Sequence, residues 1–468
     1  MKRVLSLLLV LITILSLTAC GEKEKKVVKG LQVGFAMVDC TPESGTPMGG
    51  YGNSLEKLST SASRSLYVSC LALTDGKDTM LLFSCDLGSI EEDYWVKVRP
   101  AVAKATGVKE KNIFFCATHT HSGPDLGVSE ENAMAKKALD QWVKGAVSAA
   151  KAAKKDMAPA TLSADMVQTE KLTFCRHYKK SDGSYVGDNF GSWTGLIESY
   201  AMEADQSLVV AKFDRKNKKD IMLMNFQLHP VFDGGMTETI ISSDGIGVVR
   251  DYVNEQTGME FIYFQGAAGN QNRASKILAD ATGDDIYTWA QKLGDYAINA
   301  LPNLKPMNGD DIKIQNQVYA GKVWKETDPA ILAKAKEVQE YYKQTDRDTA
   351  NVLAREYGFG SVYHAGSLLG HQNYPDTIDM EINAVSIGEF GFITAPYEMF
   401  SREGIKIKTD SPLTVTAIMG YAGHYNGYIP SMEAYDYGCY ESQTGTFERG
   451  TAELLADAYL EMLANLAK

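Results

Sequence analysis

Lys111-Asn112-Ile113-Phe114-Phe115-Cys116-Ala117-Thr118-His119-Thr120-His121-Ser122-Gly123-Pro124 is the stretch on which the fold turns. Ile113 to Ala117 is a short, continuously apolar run, which predicts a buried strand. Two of the chain's seven histidines, His119 and His121, follow it at once, and Ser122-Gly123-Pro124 stops it. If the strand persists that far, positions i and i+2 share a side; a loop starting there would also put both imidazoles at the rim of the sheet. Neutral imidazole is a good zinc ligand, so the pair is a candidate metal site; polar residues capping a turn are the plainer alternative.

Outward from this stretch, the pattern repeats. His229 follows the apolar run Ile221 to Leu228 and precedes Pro230, again at a strand end. Glu398 follows Phe390 to Thr394 and reads as the opening of a helix, where a carboxylate suits the backbone dipole. Gly420 to Tyr428 (GYAGHYNGY) follows the strand Val415 to Met419. The rest alternates strands and helices. Leu31 to Asp39 reads as a strand, Tyr67 to Leu73 and Met80 to Asp86 as a hairpin, and Glu130 to Lys154 as a long helix. Leu208 to Phe213 pairs with Ile221 to Leu228, and Asp284 to Leu301 is helical. The end is an amphipathic helix carrying Leu455, Tyr459, Met462, Leu463 and Leu466. There is no internal repeat. The expected architecture is mixed α/β (α+β): one large domain, residues 31–468, with mixed sheets flanked by helices.

Composition bounds the function. The 468 residues carry 59 acidic and 47 basic side chains, a net charge of −12, which disfavours nucleic acid as a partner. No GxGxxG, no GxxxxGK[ST], no HExxH and no GxSxG is present, so nucleotide-binding and serine-hydrolase readings lose their usual support. Met1 to Cys20 has a basic start, an apolar middle and the ending Leu17-Thr18-Ala19-Cys20. This predicts a lipoprotein signal peptide over 1–19, with Cys20 lipidated and 20–30 serving as a flexible tether. The protein would then be extracytoplasmic and anchored to a bacterial membrane through Cys20. An uncleaved anchor helix is the alternative. The six other cysteines include no CxxC pair; several lie in apolar runs and are expected as buried free thiols.

Taken in order, these motifs resemble the catalytic domain of the neutral (non-lysosomal) ceramidase family. The resemblance runs through VGFAMVDCTPESGTPMGGYG (33–52), LLFSCDLGSI (81–90), ATHTHSGP (117–124), NFQLHPV around His229, ISSDGIG around Asp244, FQGAAGNQNR (264–273), FITAPYEMF around Glu398 and GHYNGYIPSMEAYDYGCYE (423–441). It implies one Zn²⁺ held by His119, His229, Glu398 and Tyr428, with Tyr425 as the rival tyrosine. It further implies that zinc-activated water cleaves an N-acyl (amide) bond of a lipid or related small molecule. His121 is expected to transfer a proton or hydrogen-bond the substrate, and Arg176 to stabilise the developing oxyanion. No protein partner is implied. In this chain Gly269-Asn270-Gln271-Asn272-Arg273 stands where relatives carry Gly-Asp-x-Ser-Pro, so Asn272 replaces a serine and the substrate need not be ceramide. No segment corresponds to the C-terminal immunoglobulin-like domain of larger relatives. The alternatives are an ester or non-sphingolipid amide as substrate, or a non-catalytic solute-binding lipoprotein.

Overall fold

The computed structural model describes residues 30–52, 54–235, 237–273 and 284–468. The expected signal peptide, Cys20 and nearly all of the tether therefore lie outside the described residues.

Two sheets pack face to face, and helices cover both outer faces. The larger sheet runs Glu260–Gln265, Ile221–Phe226, Ser207–Arg215, Ala158–Gln168, Gln32–Asp39, Tyr67–Thr74, Thr79–Cys85, Ile113–Ala117. Lys305–Pro306 adds a short ninth strand against Ala158–Gln168. The smaller sheet runs Ile312–Lys322, Thr377–Ile387, Phe390–Thr394, Val415–Met419.

Strand alternation explains the layering. In Ile113–Ala117, the side chains of Ile113, Phe115 and Ala117 join a core with helices Glu92–Thr106 and Ala133–Asp156. The intervening Phe114 and Cys116 point the other way, into the core between the sheets, where Phe114 meets Phe392 edge-on at 6.3 Å. Ile221–Phe226 divides likewise: Met222, Met224 and Phe226 face helices Asp244–Thr257 and Ile286–Ala300, while Ile221 and Leu223 face the second sheet. Strands buried on both faces read as unbroken apolar runs. The smaller sheet's outer face, with Ile393 and Ile418, packs on helix Thr451–Leu466.

Within these two sheets most neighbouring strands are antiparallel, but three pairs are parallel. These are Thr79–Cys85 with Ile113–Ala117, Ile221–Phe226 with Glu260–Gln265, and Phe390–Thr394 with Val415–Met419. In α/β sheets the carboxyl ends of parallel strands are where ligands bind. Here those ends converge. Past Val415–Met419, the chain donates Gly420 N to Gln265 O (2.8 Å), accepts at Tyr421 O from Ala117 N (3.1 Å), and donates Gly423 N to Phe115 O (2.8 Å). One loop thus ties the two margins of the larger sheet to the end of the smaller. All six cysteines from Cys40 to Cys439 are buried free thiols, matching the sequence expectation.

A candidate metal centre where the parallel strands end

Each side chain at the convergence follows one of these strands. His119 comes two residues after Ala117, His229 three after Phe226, Glu398 four after Thr394, and Tyr421 two after Met419. The backbone at His119 and Tyr421 is left-handed, with φ of 66° and 53°, and their rings stack 4.1 Å apart. Non-glycine residues adopt this conformation only when surroundings impose it, and such positions gather at functional sites. Here the surroundings are backbone: His119 N donates to Leu87 O at 2.9 Å, and His119 Nδ1 meets Gly88 O at 2.6 Å.

Of the two routes that could bring the imidazoles to the rim, the structure takes the loop: the strand ends at Ala117 and the chain turns at His119. The turn itself brings His121 Nε2 to 3.0 Å from His119 Nε2. A glycine-rich loop closes over His121. Gly50 has φ +98°, and a Cβ there would lie 3.0 Å from three His121 atoms. Tyr51 meets the His121 ring edge-on at 5.1 Å.

The donors converge. His119 Nε2 is 3.5 Å, and His229 Nε2 3.4 Å, from Glu398 Oε2. Tyr428 OH is 3.3 Å from His229 Nε2. His229 Nδ1 meets Ala268 O at 2.8 Å. A backbone carbonyl on each Nδ1 places the proton there and leaves the Nε2 lone pair facing the cluster, the usual arrangement behind metal-ligating histidines. His119, His121 and His229 also form a triad whose ligand atoms lie within 4.8 Å of one another, so His121 is a geometric competitor for a place in the shell. Its Nδ1 is buried without a hydrogen-bond partner.

Electrostatics suits a cation. Burial pushes His119 down to about 4, with Glu398 pulling the other way. Burial, then His119 and His229, hold His121 well below its usual value. Burial would raise the Glu398 carboxyl, but His119, His229 and the Tyr425 hydroxyl more than reverse this, so it is ionised at neutral pH. Burial and the Glu398 charge push the Tyr428 phenol well up, opposed by Arg176. Two imidazoles, a carboxylate and a phenol make a hard-to-borderline N/O donor set that fits a divalent ion.

Glu398 does not open a helix. Glu398–Met399 is a two-residue strand parallel to Tyr428–Ile429, and the helix begins at Ser401. That pairing seats Glu398 beside Tyr428, so dipole capping does not account for the carboxylate. The two other tyrosines of the loop both bond it: Tyr421 OH donates to Glu398 Oε2 at 3.0 Å and Tyr425 OH to Oε1 at 2.5 Å. Tyr425 therefore touches the carboxylate, whereas Tyr428 lies against His229 and Arg176. Arg176 Nη2 donates to Tyr428 OH at 3.2 Å and to Gly269 O at 2.9 Å. Sequence reasoning missed Tyr421 and Glu441, the carboxylate on Arg176. A carboxylate brought from 265 positions away leaves no mark in local spacing.

Asn270 and Asn272 part company. Asn270 is buried and braces the turn before helix Ser401–Asp410, its Oδ1 accepting from Ser401 N at 2.9 Å. Asn272 pairs through its backbone with His229, and its Nδ2 donates to Asp188 Oδ2 at 2.6 Å.

A second carboxyl beside the site titrates near neutrality. Glu403 is buried and accepts from Ser431 Oγ at 2.5 Å, tying the helix after Glu398 to the segment after Tyr428. Burial raises it from 4.5 to about 7, with Glu453 adding and Ser431 opposing. A carboxyl raised on folding stabilises most below its unfolded pKa, and that contribution fades as pH rises through the folded value. The protein is therefore expected to lose on the order of 3 kcal/mol from this group between pH 4.5 and pH 8. Glu403→Gln should match wild type in urea denaturation near pH 4.5 and exceed it at pH 8. Equal pH slopes for both proteins would contradict this.

Comparison with known proteins agrees with this architecture. The family model for the neutral/alkaline non-lysosomal ceramidase N-terminal domain matches residues 31–270. The chain belongs to that family, a family of hydrolases. Neutral ceramidase from Pseudomonas aeruginosa has the same fold, with TM-score 0.68 at 17% identity, over 94% of this chain and 75% of that one. A structure described as ceramidase complexed with C2 superposes with TM-score 0.66 at 16% identity, over the same shares. No curated protein sequence matches.

Proposed function

We propose that this chain is a zinc-dependent amidohydrolase that cleaves an N-acyl bond of a lipid or related small molecule, with the ion held by His119, His229, Glu398 and Tyr428. One observation carries the reading. Ligands at about 2.0–2.1 Å in a tetrahedral zinc shell stand about 3.3 Å from one another, and three of the donor pairs here are 3.3, 3.4 and 3.5 Å apart. A bound zinc ion supplies Lewis acidity, polarising a carbonyl and acidifying water.

The chain's own groups do the rest. His121, neutral at working pH and adjacent to the ion site, takes a proton from the attacking water and returns it to the departing amine. Arg176 offers a fixed cation to the oxygen on which negative charge develops. Asn272 carries no hydroxyl, so water is the nucleophile. Water and amide go in; carboxylic acid and amine come out. The same site would accept an ester, and a substrate other than a sphingolipid is compatible with Asn272 in place of serine. A solute-binding role is the weaker reading, because binding alone gives no reason to bury four metal-type donors.

We further assign 1–19 as a lipoprotein signal, Cys20 as the lipidated residue, 20–30 as a tether and 31–468 as the catalytic domain. Incorporation of labelled palmitate that persists in Cys20→Ala would refute that assignment. For the chemistry, zinc per chain and turnover of fluorogenic short-chain N-acyl sphingosine, a simple N-acyl amine and the matching ester are measured for wild type and His119→Ala. About one zinc per chain and chelator-sensitive amide cleavage are expected in wild type only. Full zinc occupancy in His119→Ala would overturn the ligand set.

A further inference from the structure

Glu441 sits behind the site rather than in it, in the short helix Tyr440–Thr444, and is 1% exposed. Its Oε1 accepts from Arg176 Nε at 2.7 Å and also contacts Arg176 Nη2. Its Oε2 meets His177 Nε2 at 2.9 Å. One carboxylate thus grips two consecutive residues, 176 and 177, from the far end of the sequence. Arg176 and His177 are themselves buried.

The grip fixes which nitrogens of Arg176 remain for chemistry. Nε and Nη2 are taken by Glu441, Gly269 O and Tyr428 OH. Nη1 is the nitrogen that these contacts do not occupy. An arginine is planar and forked, so fixing one edge fixes the other. Without the carboxylate, the guanidinium could swing off Tyr428 and lose its aim.

A rival use of the same residues is a second metal site, since His177, Cys439 and Glu441 have ligand atoms within 4.8 Å of one another. The Arg176 guanidinium bonded to the same carboxylate argues against it, because it already supplies the positive charge a metal would bring.

We infer that Glu441 is a positioning residue for the hydrolytic reaction: it orients Arg176 so that one edge braces the Tyr428 oxygen and the other meets the substrate. This rests on the reading of Arg176 and Tyr428 given above. The test compares wild type, Glu441→Gln, Arg176→Ala and the double variant. Each is assayed on fluorogenic short-chain N-acyl sphingosine, with zinc content and melting temperature measured alongside. Glu441→Gln is expected to keep its zinc, to lower kcat by about 10- to 100-fold, and to leave KM within about threefold. In the Arg176→Ala background the same change should have almost no further effect, because its only route to the reaction is gone.

Equal losses from Glu441→Gln in both backgrounds would overturn the proposal, as would a loss confined to KM. So would a second zinc per chain that disappears in Cys439→Ser. If Arg176→Ala itself leaves kcat intact, the reading of Arg176 fails instead, and the two failures are told apart. Should Glu441→Gln not fold, Glu441→Asp keeps the charge while drawing it back by one methylene. It is expected to lose kcat with KM unchanged; full wild-type kcat there would overturn the proposal.

Discussion

Glu398→Gln is expected to abolish the proposed zinc binding and to lower amide turnover by on the order of 10²- to 10⁴-fold. The carboxylate is the anion at the centre of the cluster. Its Oε2 stands within 3.5 Å of both imidazole Nε2 atoms, and two tyrosine hydroxyls hold the group in place. The glutamine isostere keeps the volume and removes the charge. A Lewis acid contributes several kcal/mol of charge stabilisation in the transition state, and about 1.4 kcal/mol is a factor of ten in rate. The fold should survive, since the amide oxygen still accepts from a tyrosine hydroxyl and a neutral amide is cheaper to bury than a charged carboxylate. Metal content by elemental analysis and kcat on the short-chain N-acyl substrate are the measurements. A Glu398→Gln protein that keeps both zinc and rate would remove the carboxylate from the site.

Lys408→Met is expected to lower folding stability by about 3–5 kcal/mol, the usual result of removing one partner of a buried ion pair. Lys408 Nζ donates to Asp205 Oδ2 (2.9 Å), Ser207 Oγ (3.0 Å) and Gln227 Oε1 (2.9 Å). Both charged side chains are almost fully enclosed. Gln227, two residues before His229, also donates to the Asp205 and Ser207 carbonyls at 2.6 and 2.8 Å. The network therefore anchors the strand end that presents His229, and a loss of stability should come with weaker metal binding. Adding Asp205→Asn should recover part of the loss, because the stranded charge is then gone. Urea denaturation of the three proteins decides it. A loss under about 1 kcal/mol in Lys408→Met would mean that water reaches Asp205.

What the sequence made legible follows the range of the interactions. The strands around Phe114, Met224 and Ile393 were readable because residues buried on both faces leave continuous apolar runs. His119 and His229 were readable because strand ends are marked by Pro and Gly. Glu398 was misread as a helix opener, since its two-residue strand exists only through pairing with Tyr428–Ile429, thirty positions on. The choice of Tyr428 over Tyr425 came from resemblance, not from periodicity: both flank the same carboxylate, and only the fold shows which one meets His229. Helices Arg347–Glu356 and Val362–His371 went unread because their apolar faces bury against each other and Pro329–Tyr342, in a small core of their own.

The direction of the first strand sets how the molecule is presented. Gln32 lies opposite Thr74 and Asp39 opposite Tyr67, while Val68 lies opposite Cys85, whose neighbour is Ala117. The polypeptide thus joins the domain at the floor of the sheet and reaches the histidine end only at the eighth residue of the strand, a climb of about 23 Å. A chain arriving from upstream of Leu31 therefore enters the domain at the end of the sheet opposite the histidines. With the lipid proposed for Cys20 and the flexible 20–30 tether proposed with it, attachment and catalysis would sit at opposite ends of one sheet, so neither need crowd the other.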